Sequence, residues 1–296
     1  MNDYIEQFKT YLLKERKMSE NSLHAYYRDV LEYSRFLEEK QGGGLKESSN
    51  TEIVSFVLKL KNDGKSSATV NRKVASLRAF YNFMMEKEYV TVNPVANIKS
   101  PKIERKELEF LTIEEVDKLL SLPDDSIKGK RDRAILEIMY ATGIRVSEII
   151  ETKVSDINLR MGFVTCTGEH GKARIIPMGR PARAAVEAYI YETRDKLLKK
   201  SKEEEEALFL NYFGEKLTRQ GLWKILKEYA ATAGFESKIT PQTLRNSFAV
   251  HMIQNGADLK SLQELLGHED ITATQIYLSV TKNRIKDVYD RAHPRA

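Results

Sequence analysis

The chain is poor in cysteine, and this scarcity excludes one common way of stabilising a fold. Its 296 residues include a single cysteine, Cys166, so no disulfide can form within the chain. A lone thiol suits a reducing compartment. Long apolar runs are also missing, since none approaches the roughly 20 residues that a membrane span requires. The first residues, 1–6, lack the basic-then-apolar order of a signal peptide, so we expect a cytoplasmic protein that does not enter a membrane.

Signatures of metal and nucleotide chemistry are absent from the sequence as well. The histidines show no metal-ligand spacing, and no second cysteine is available to join them. No glycine-rich phosphate loop of the Walker type is present, which argues against nucleotide hydrolysis. Carboxylate clusters of the two-metal nuclease kind are missing too. The sequence therefore predicts no metal and no cofactor, and any cleavage of a phosphodiester must use a side chain as the nucleophile.

The charge balance is mildly positive. Lysine and arginine together number 48 against 43 aspartate and glutamate residues, which gives a net charge of +5. Such a balance permits binding to nucleic acid, but an ordinary basic enzyme has it equally. Charge alone leaves both interpretations open.

Residues 1–90 are predicted to form a small all-helical unit. Apolar side chains recur there at helical spacing on three separate faces. Basic side chains occupy many of the other positions, so this bundle either grips a DNA backbone or carries a solvated surface. The apolar faces are Ile5, Phe8, Tyr11 and Leu12, then Leu23, Tyr27, Val30, Leu31 and Leu37, and finally Val70, Val74, Leu77, Tyr81 and Met84; the basic set is Lys9, Lys14, Arg16, Lys17, Arg28, Lys65, Arg72, Lys73 and Arg78.

A basic segment separates this bundle from the rest of the chain. Asn93-Pro94 stops the preceding helix, because proline pushes the residue before it out of helical geometry. The stretch 98–106 is basic and has no apolar rhythm. We therefore predict an interdomain linker over 91–107 that touches phosphates. The second domain is expected over 108–296.

The second domain is predicted to be mainly helical with a small antiparallel sheet. Thr112 and Glu115 form the pattern of a capping box at a helix start. Two β-rich runs, 163–167 and 173–178, predict a hairpin with a five-residue tip between them. Further helices are expected over 130–140, 183–199, 219–233, 241–255 and 259–266.

Four residues of this domain stand in local settings that suit one chemistry. Arg145 lies just past a helix-ending glycine, Arg245 lies near the start of a predicted helix, and His268 follows Gly267, which ends another. Tyr277 comes nine residues after the histidine. Each is weak alone, because such residues are usually packing or salt-bridge residues. Together they are what metal-free phosphodiester cleavage needs, a tyrosine to attack phosphorus and cations to hold the charge on the phosphoryl oxygens.

The order and context of these residues resemble the tyrosine recombinases, specifically the bacterial Xer type, over almost the whole chain. The resemblance implies a mainly α fold with a small antiparallel β-sheet. An N-terminal helical, SAM-like core-binding bundle and a C-terminal catalytic domain would form a C-shaped clamp on DNA. The motifs are Asn93-Pro94…Pro101-Lys102, Phe110-Leu111-Thr112…Glu115, Tyr140-Ala141-Thr142-Gly143-Ile144-Arg145-Val146-Ser147-Glu148, the Gly168…Arg174 hairpin and Leu265-Leu266-Gly267-His268…Tyr277.

The resemblance also implies partners. Double-stranded DNA is the expected substrate. Four protomers, either all copies of this chain or shared with another recombinase, are expected to assemble on two DNA sites. The C-terminal segment, about 280–296, would pack into a neighbouring protomer. A DNA translocase is a further expected partner, and no ATP is needed, because the covalent link exchanges one phosphodiester for another.

Carried over residue by residue, the resemblance implies roles at the site. Tyr277 matches the nucleophile that forms a 3′-phosphotyrosyl bond and frees a 5′-hydroxyl. Arg145 and Arg245 match the pair that binds the scissile phosphate, and His268 matches a histidine that donates a hydrogen bond to a non-bridging oxygen. Strands would be exchanged through a Holliday junction, in chromosome dimer resolution or in the integration and excision of a mobile element.

Two positions depart from the family pattern. Gln242 stands where the family usually has histidine, and glutamine cannot accept a proton at neutral pH. Glu169 stands where the hairpin usually carries the lysine that protonates the leaving 5′-oxygen, and its charge is wrong for that task. Lys172 is the predicted replacement, and His170 is a second candidate acid. We expect a slow recombinase.

Two other functions stay open from the sequence. One is a catalytically weakened or inactive DNA-binding homologue that structures a synapse for an active partner, which Glu169 and Gln242 favour. The other is a topoisomerase-like enzyme that cuts and religates one strand, which the helical bundle and linker argue against. The target DNA sequence is not encoded in any pattern of the chain.

Overall fold

Two units make up the chain, Met1–Lys106 and Glu107–Ala296. The computed structural model describes residues 3–40, 43–99, 107–168, 171–199, 205–235 and 239–278. Within those residues, no helix combines the length and the apolar character needed to cross a membrane. The predicted C-terminal contact segment, about 280–296, lies outside the described residues.

The described part of the first unit consists of helices packed around an aromatic core. Phe8, Val30 and Leu77 have no exposed surface, so the predicted apolar faces point inward. Ser66 caps the last helix, because its hydroxyl accepts a hydrogen bond from the amide of Thr69 at 3.2 Å. The helices are α1 (Asp3–Lys14), α2 (Glu20–Glu39), α3 (Asn50–Asn62) and α4 (Ser67–Glu86).

Buried charges join α2 to α4. Asp29 of α2 accepts hydrogen bonds from Lys73 Nζ at 2.9 Å and Ser76 Oγ at 2.8 Å, and it pairs with Arg72. Lys73 also binds Glu32 at 2.7 Å. The expectation that Lys73 lies on an outer basic face is wrong, because the buried carboxylate of Asp29 holds its ammonium group between the two helices.

The first part of the predicted linker packs against the first unit. Val95 has no exposed surface and belongs to the core of this unit. Arg78 Nη2 of α4 donates to the carbonyl of Ile98 at 2.9 Å. Residues 100–106, the rest of the predicted basic stretch, lie outside the described residues.

The second unit is mainly helical and has one large apolar core. Central residues of this core, such as Ile135, Leu208 and Leu244, have no exposed surface. The predicted capping box is present, with Thr112 Oγ1 accepting from the amide of Glu115 at 3.2 Å and the Glu115 carboxylate from the amide of Thr112 at 2.9 Å. The helices are α5 (Ile113–Ser121), α6 (Ile127–Thr142), α7 (Val146–Glu151), α8 (Arg180–Ala188), α9 (Asp195–Leu198), α10 (Arg219–Ala233), α11 (Pro241–Gln254), α12 (Leu259–Leu266) and α13 (Thr272–Gln275).

A three-stranded antiparallel sheet in the order β1-β2-β3 contains the predicted hairpin. The strands are β1 (Ile157–Asn158), β2 (Phe163–Thr167) and β3 (Ala173–Pro177). Cys166 pairs with Arg174 across the hairpin, which fixes the register. The sequence did not predict β1, because two residues are too few for an alternating pattern.

The helix predicted over 183–199 differs from the structure. α8 begins earlier, at Arg180, and a π-helical turn, Tyr189–Arg194, separates it from α9. Arg194, at the end of that turn, donates to the carbonyls of Ala207 at 2.6 Å and Leu208 at 3.2 Å. Periodicity cannot predict such a turn, because its polar partners lie in a distant loop.

Candidate active site

A left-handed glycine positions Arg145. Gly143 ends α6 with φ of +58°, and a Cβ at this position would collide with the ring of Phe248. The chain then enters α7, with Arg145 as the residue before it. The Arg145 amide donates to Glu148 Oε2 at 2.9 Å and its Nη1 donates to Glu148 Oε1 at 2.9 Å. Its Nη2 donates to the carbonyl of Gly267 at 2.7 Å, so the guanidinium is held at both ends.

Glu148 is a buried carboxylate gripped by two arginines. Arg174 of β3 binds it in a bidentate manner, with Nη1 to Oε1 at 2.7 Å and Nη2 to Oε2 at 2.8 Å. Burial alone would raise the pKa of Glu148, but the hydrogen bonds from Arg174 and from the Arg145 amide, with both positive charges, lower it to about 2. The carboxylate is therefore ionised and orients Arg145.

Arg245 lies on α11 with 4% of its surface exposed. It donates to the carbonyl of Gly143 and, from Nη2, to the carbonyl of Leu266 at 2.6 Å. Burial and the neighbouring charge of Arg145 lower the pKa of Arg245 to about 10, so it keeps its positive charge at neutral pH. The dipoles of these two carbonyls stabilise its positive charge.

His268 follows the left-handed Gly267 and is a neutral imidazole. A Cβ on Gly267 would lie 2.9 Å from Arg174 Nη1, so this turn leaves no space for a side chain. Arg245 Nη2 donates to His268 Nε2 at 3.0 Å, and because a guanidinium only donates, the proton of the ring is on Nδ1 and is donated to Thr274 Oγ1 at 2.8 Å. Burial, followed by the charges of the arginines, lowers the pKa of His268 to about 4.

Three of the predicted residues line one cleft. Arg145, Lys172 and His268 border a cavity of about 610 Å³, together with Arg174. Lys172 is exposed and directly precedes β3. Glu264 and Glu269 also border it, so Arg145, Lys172 and Arg174 face two carboxylates, and the cleft has a small excess of positive charge that suits an anion.

Tyr277 is not among the residues that border this cleft and is buried in a small apolar cluster with Phe248 and Leu266. It has 1% of its surface exposed, and its hydroxyl donates to Asn246 Oδ1 at 3.3 Å. Burial raises the pKa of Tyr277, while the charges of Arg245 and Arg145 act in the opposite direction. The phenol is thus protonated at neutral pH and lies within the electrostatic influence of both arginines.

The structure describes one of the two positions that depart from the family pattern. Gln242 is exposed on the first turn of α11, and its Nε2 donates to Asn246 Oδ1 at 2.9 Å. Glu169 and His170 lie outside the described residues.

Several residues of the site had no role assigned from the sequence. Glu148 and Arg174 belong to the family motifs, and the position of Glu148 three residues after Arg145, a spacing at which opposite charges can pair, is the signal that could have found it. Thr274 and Asn246 had no comparable signal, because their contacts with His268 and Tyr277 depend on how separate helices pack.

Family models match both units. The model of the phage integrase family matches residues 109–284, and that of the phage integrase N-terminal SAM-like domain matches residues 5–88. Tyrosine recombinase XerD of Oceanobacillus iheyensis is 45% identical over 99% of this chain and 98% of its own length. Tyrosine recombinase XerD of Listeria monocytogenes serotype 4b is also 45% identical, over 100% of both chains.

Solved structures share the fold. XerH site-specific recombinase bound to its palindromic difH substrate, in a post-cleavage complex, has a TM-score of 0.76 at 23% identity, covering 96% of this chain and 83% of that one. The Tn1549 transposon integrase in complex with transposon right end DNA has a TM-score of 0.75 at 18% identity, covering 98% and 99%. The chain therefore belongs to the phage integrase family and is a tyrosine recombinase of the Xer type.

Proposed function

We propose that this protein is a site-specific DNA recombinase that cuts and rejoins double-stranded DNA through a 3′-phosphotyrosyl intermediate and a Holliday junction. The observation that carries the proposal is the surplus of positive charge around the cleft. In the described contacts, Glu148 pairs with Arg145 and Arg174, whereas Arg245 donates to two carbonyls and to His268 and has no carboxylate partner. Such a surplus suits the phosphodiester of a DNA backbone.

Arg145 and Arg245 bind the non-bridging oxygens of the scissile phosphate. Both guanidiniums are held in advance by carbonyls or by Glu148, so little reorganisation is needed when charge builds on the phosphoryl oxygens. Arg174 acts behind them, because its bidentate bond to Glu148 keeps that carboxylate in position.

Tyr277 attacks phosphorus through its hydroxyl oxygen. A bond forms between that oxygen and phosphorus, the bond from phosphorus to the 5′-oxygen breaks, and the DNA remains attached through a 3′-phosphotyrosine. The phenol gives up its proton to solvent water as it attacks, and the two arginines favour this step because their charges lower the pKa that burial raises. Attack by a free 5′-hydroxyl on the phosphotyrosine reverses the reaction.

His268 assists from a position beside Arg245. In this structure its Nε2 accepts a hydrogen bond from Arg245. With the ring proton on Nε2 instead of Nδ1, His268 can donate a hydrogen bond to a phosphoryl oxygen, because the hydroxyl of Thr274 can donate to Nδ1 as readily as it accepts.

Lys172 donates the proton that the leaving 5′-oxygen needs. It lines the same cleft as Arg145 and His268, on the hairpin where the family usually places its lysine. Gln242 does not act as a base, since an amide accepts no proton at neutral pH.

A suicide substrate tests the proposal. DNA nicked near the cleavage site loses a short fragment after attack, which traps the covalent intermediate. We expect a protein–DNA adduct with the wild-type chain and none with Tyr277→Phe, whose binding to the same DNA should be unchanged. Tight binding of the wild-type chain without any adduct would instead identify a DNA-binding homologue.

The biological role follows the named relatives. Two of them are XerD recombinases, which favours chromosome dimer resolution over mobilisation of an element. The active assembly is a tetramer on two DNA sites, formed by this chain alone or with a second recombinase, and a DNA translocase controls it. Mass measurement of complexes assembled on candidate genomic DNA tests the assembly, and a complex that stays at one protomer per site would contradict it.

A further inference from the structure

Gln242 and Asn246 share a face of α11 with Arg245. Residues three and four apart on a helix are neighbours, so the side chains at 242, 245 and 246 project to the same side. Gln242 is exposed, whereas Asn246 has 7% of its surface exposed. A glutamine at the usual histidine position therefore stands beside the guanidinium that binds phosphate in the proposed function.

The side-chain amide of Asn246 is fixed on both sides. Its Nδ2 donates to the carbonyl of Glu109 at 2.9 Å. Its Oδ1 accepts from Gln242 Nε2 at 2.9 Å and from the Tyr277 hydroxyl at 3.3 Å. The orientation of the amide follows, because only its nitrogen can donate to a backbone carbonyl. The oxygen must therefore face Gln242 and Tyr277.

The hydroxyl of Tyr277 depends on this oxygen for its direction. The ring lies among Phe248 and Leu266, which fix its plane but offer no polar partner. Asn246 Oδ1 is the acceptor that the structure assigns to the buried hydroxyl. The amide is neither an acid nor a base at neutral pH, so its contribution to attack is geometric.

We infer that Asn246 is a positioning residue that directs the Tyr277 hydroxyl towards the phosphate site, and that Gln242 acts on the nucleophile through Asn246. The inference rests on the proposed function, in which Tyr277 attacks DNA. The inference assigns a role to the glutamine that departs from the family pattern at position 242. The glutamine donates a hydrogen bond that holds the positioning amide, a task that does not require proton transfer.

A double-mutant cycle on the rate of covalent adduct formation tests this coupling at saturating suicide substrate. Asn246→Ala should slow the reaction roughly 100-fold, the scale of a misplaced reacting atom, with unchanged DNA affinity. Gln242→Ala should slow it about threefold to tenfold, the equivalent of one hydrogen bond. Because Gln242 is exposed, its removal does not threaten the fold.

The combined variant separates the two possible targets of Gln242. If Gln242 acts through Asn246, then adding Gln242→Ala to Asn246→Ala has no further effect. An equal slowing by Gln242→Ala in both backgrounds would mean that Gln242 contacts the DNA phosphate directly, and it would overturn the inference. Asn255→Ala, at the end of the same helix, is the matched control and should cleave at the wild-type rate.

A second measurement does not need activity. With 3-fluorotyrosine at position 277, the fluorine resonance reports the surroundings of the phenol directly. Asn246→Ala should move this resonance and lower the pKa of the phenol, because a neutral acceptor favours the protonated form. Asn255→Ala should change neither. An unaltered resonance and pKa in Asn246→Ala would exclude the contact, whereas a wild-type chain that forms no adduct would contradict only the proposed nucleophile.

Discussion

Both units bury charged side chains between helices, but they balance those charges in different ways. In the first unit, Asp29 and Glu32 of α2 face Arg72 and Lys73 of α4. Each cation there has a carboxylate partner, and the hydroxyl of Ser76 completes the shell around Asp29. Such a cluster of two cations and two carboxylates joins the helices and has no net charge.

The second unit keeps a surplus of positive charge. Glu148 binds Arg145 and Arg174, while Arg245 donates to the carbonyls of Gly143 and Leu266. Carbonyl dipoles hold a guanidinium in place without neutralising it, and burial of this charge is unfavourable, as the lowered pKa of Arg245 indicates. The contrast teaches that a binding site for a phosphate can be recognised by cations that are well positioned but only partly neutralised.

The largest expected effect on the cleavage rate is that of replacing Lys172, an exposed cation of the second unit. Lys172→Ala should slow cleavage roughly 10²- to 10⁴-fold, because the leaving oxygen then departs without a proton. A substrate with sulfur in place of that 5′-oxygen should remove the defect, since a thiolate leaves without protonation. Lys224→Ala, an exposed lysine on α10, serves as the control. A defect that persists with the sulfur substrate would exclude Lys172 as the acid.

A substitution of Arg245 tests the role of a buried cation in the excess of positive charge. Arg245→Met should lower the rate of adduct formation roughly 10²- to 10³-fold, as the loss of a preorganised donor does. The melting temperature should not fall, because the variant removes a buried cation that no carboxylate neutralises in the described contacts. Thermal melting and adduct formation measured on the same sample check both outcomes, and strong destabilisation would show that Arg245 has a mainly structural role.

A substitution of Asp29 tests the balanced charges of the first unit. Asp29→Asn removes the buried carboxylate that binds both Lys73 and Arg72 and should destabilise the protein by about 3 to 5 kcal/mol. Denaturant unfolding measures the change, and cleavage below the melting temperature should stay at the wild-type rate. A loss of less than about 1 kcal/mol would mean that the cluster is relaxed by solvent, as at surface ion pairs.

The smallest expected effect is the pH dependence of Glu148. Its pKa falls from 4.5 to about 2 in the folded chain, so its ionised form stabilises the fold above pH 4.5 and this contribution is lost as the pH falls towards 2. The contribution is roughly 3 kcal/mol at most. The difference in stability between the wild type and Glu148→Gln should therefore shrink between pH 5 and pH 2.5. A difference that stays constant with pH would refute the ionised state.

Much of the fold was predictable because its signals are local. Helical spacing predicted α10 and α12 at their observed bounds, and the capping box at Thr112 marked the start of α5. The sequence also predicted that Gly143 and Gly267 end helices, and both adopt left-handed geometry. The confirmed family rests on motifs of the same local kind.

The candidate site was only partly predictable. Arg145, Arg245, His268 and Tyr277 were selected from their contexts and the resemblance, and their catalytic roles remain predictions. The state of His268 could not be predicted, since the position of its proton depends on donation from Arg245 and on Thr274. A histidine between these partners has a different charge and tautomer from one in solvent.

The amino-acid sequence by itself determined the helices, their ends and the set of chemically capable side chains, because these depend on interactions within about four residues. The tertiary structure alone decided which charges are neutralised and which stay available. Glu148 of α7 binds Arg174 of β3, and the Tyr277 hydroxyl binds Asn246 of α11. Such pairs form only when packing removes water from both partners, and no pattern of neighbouring residues encodes that event.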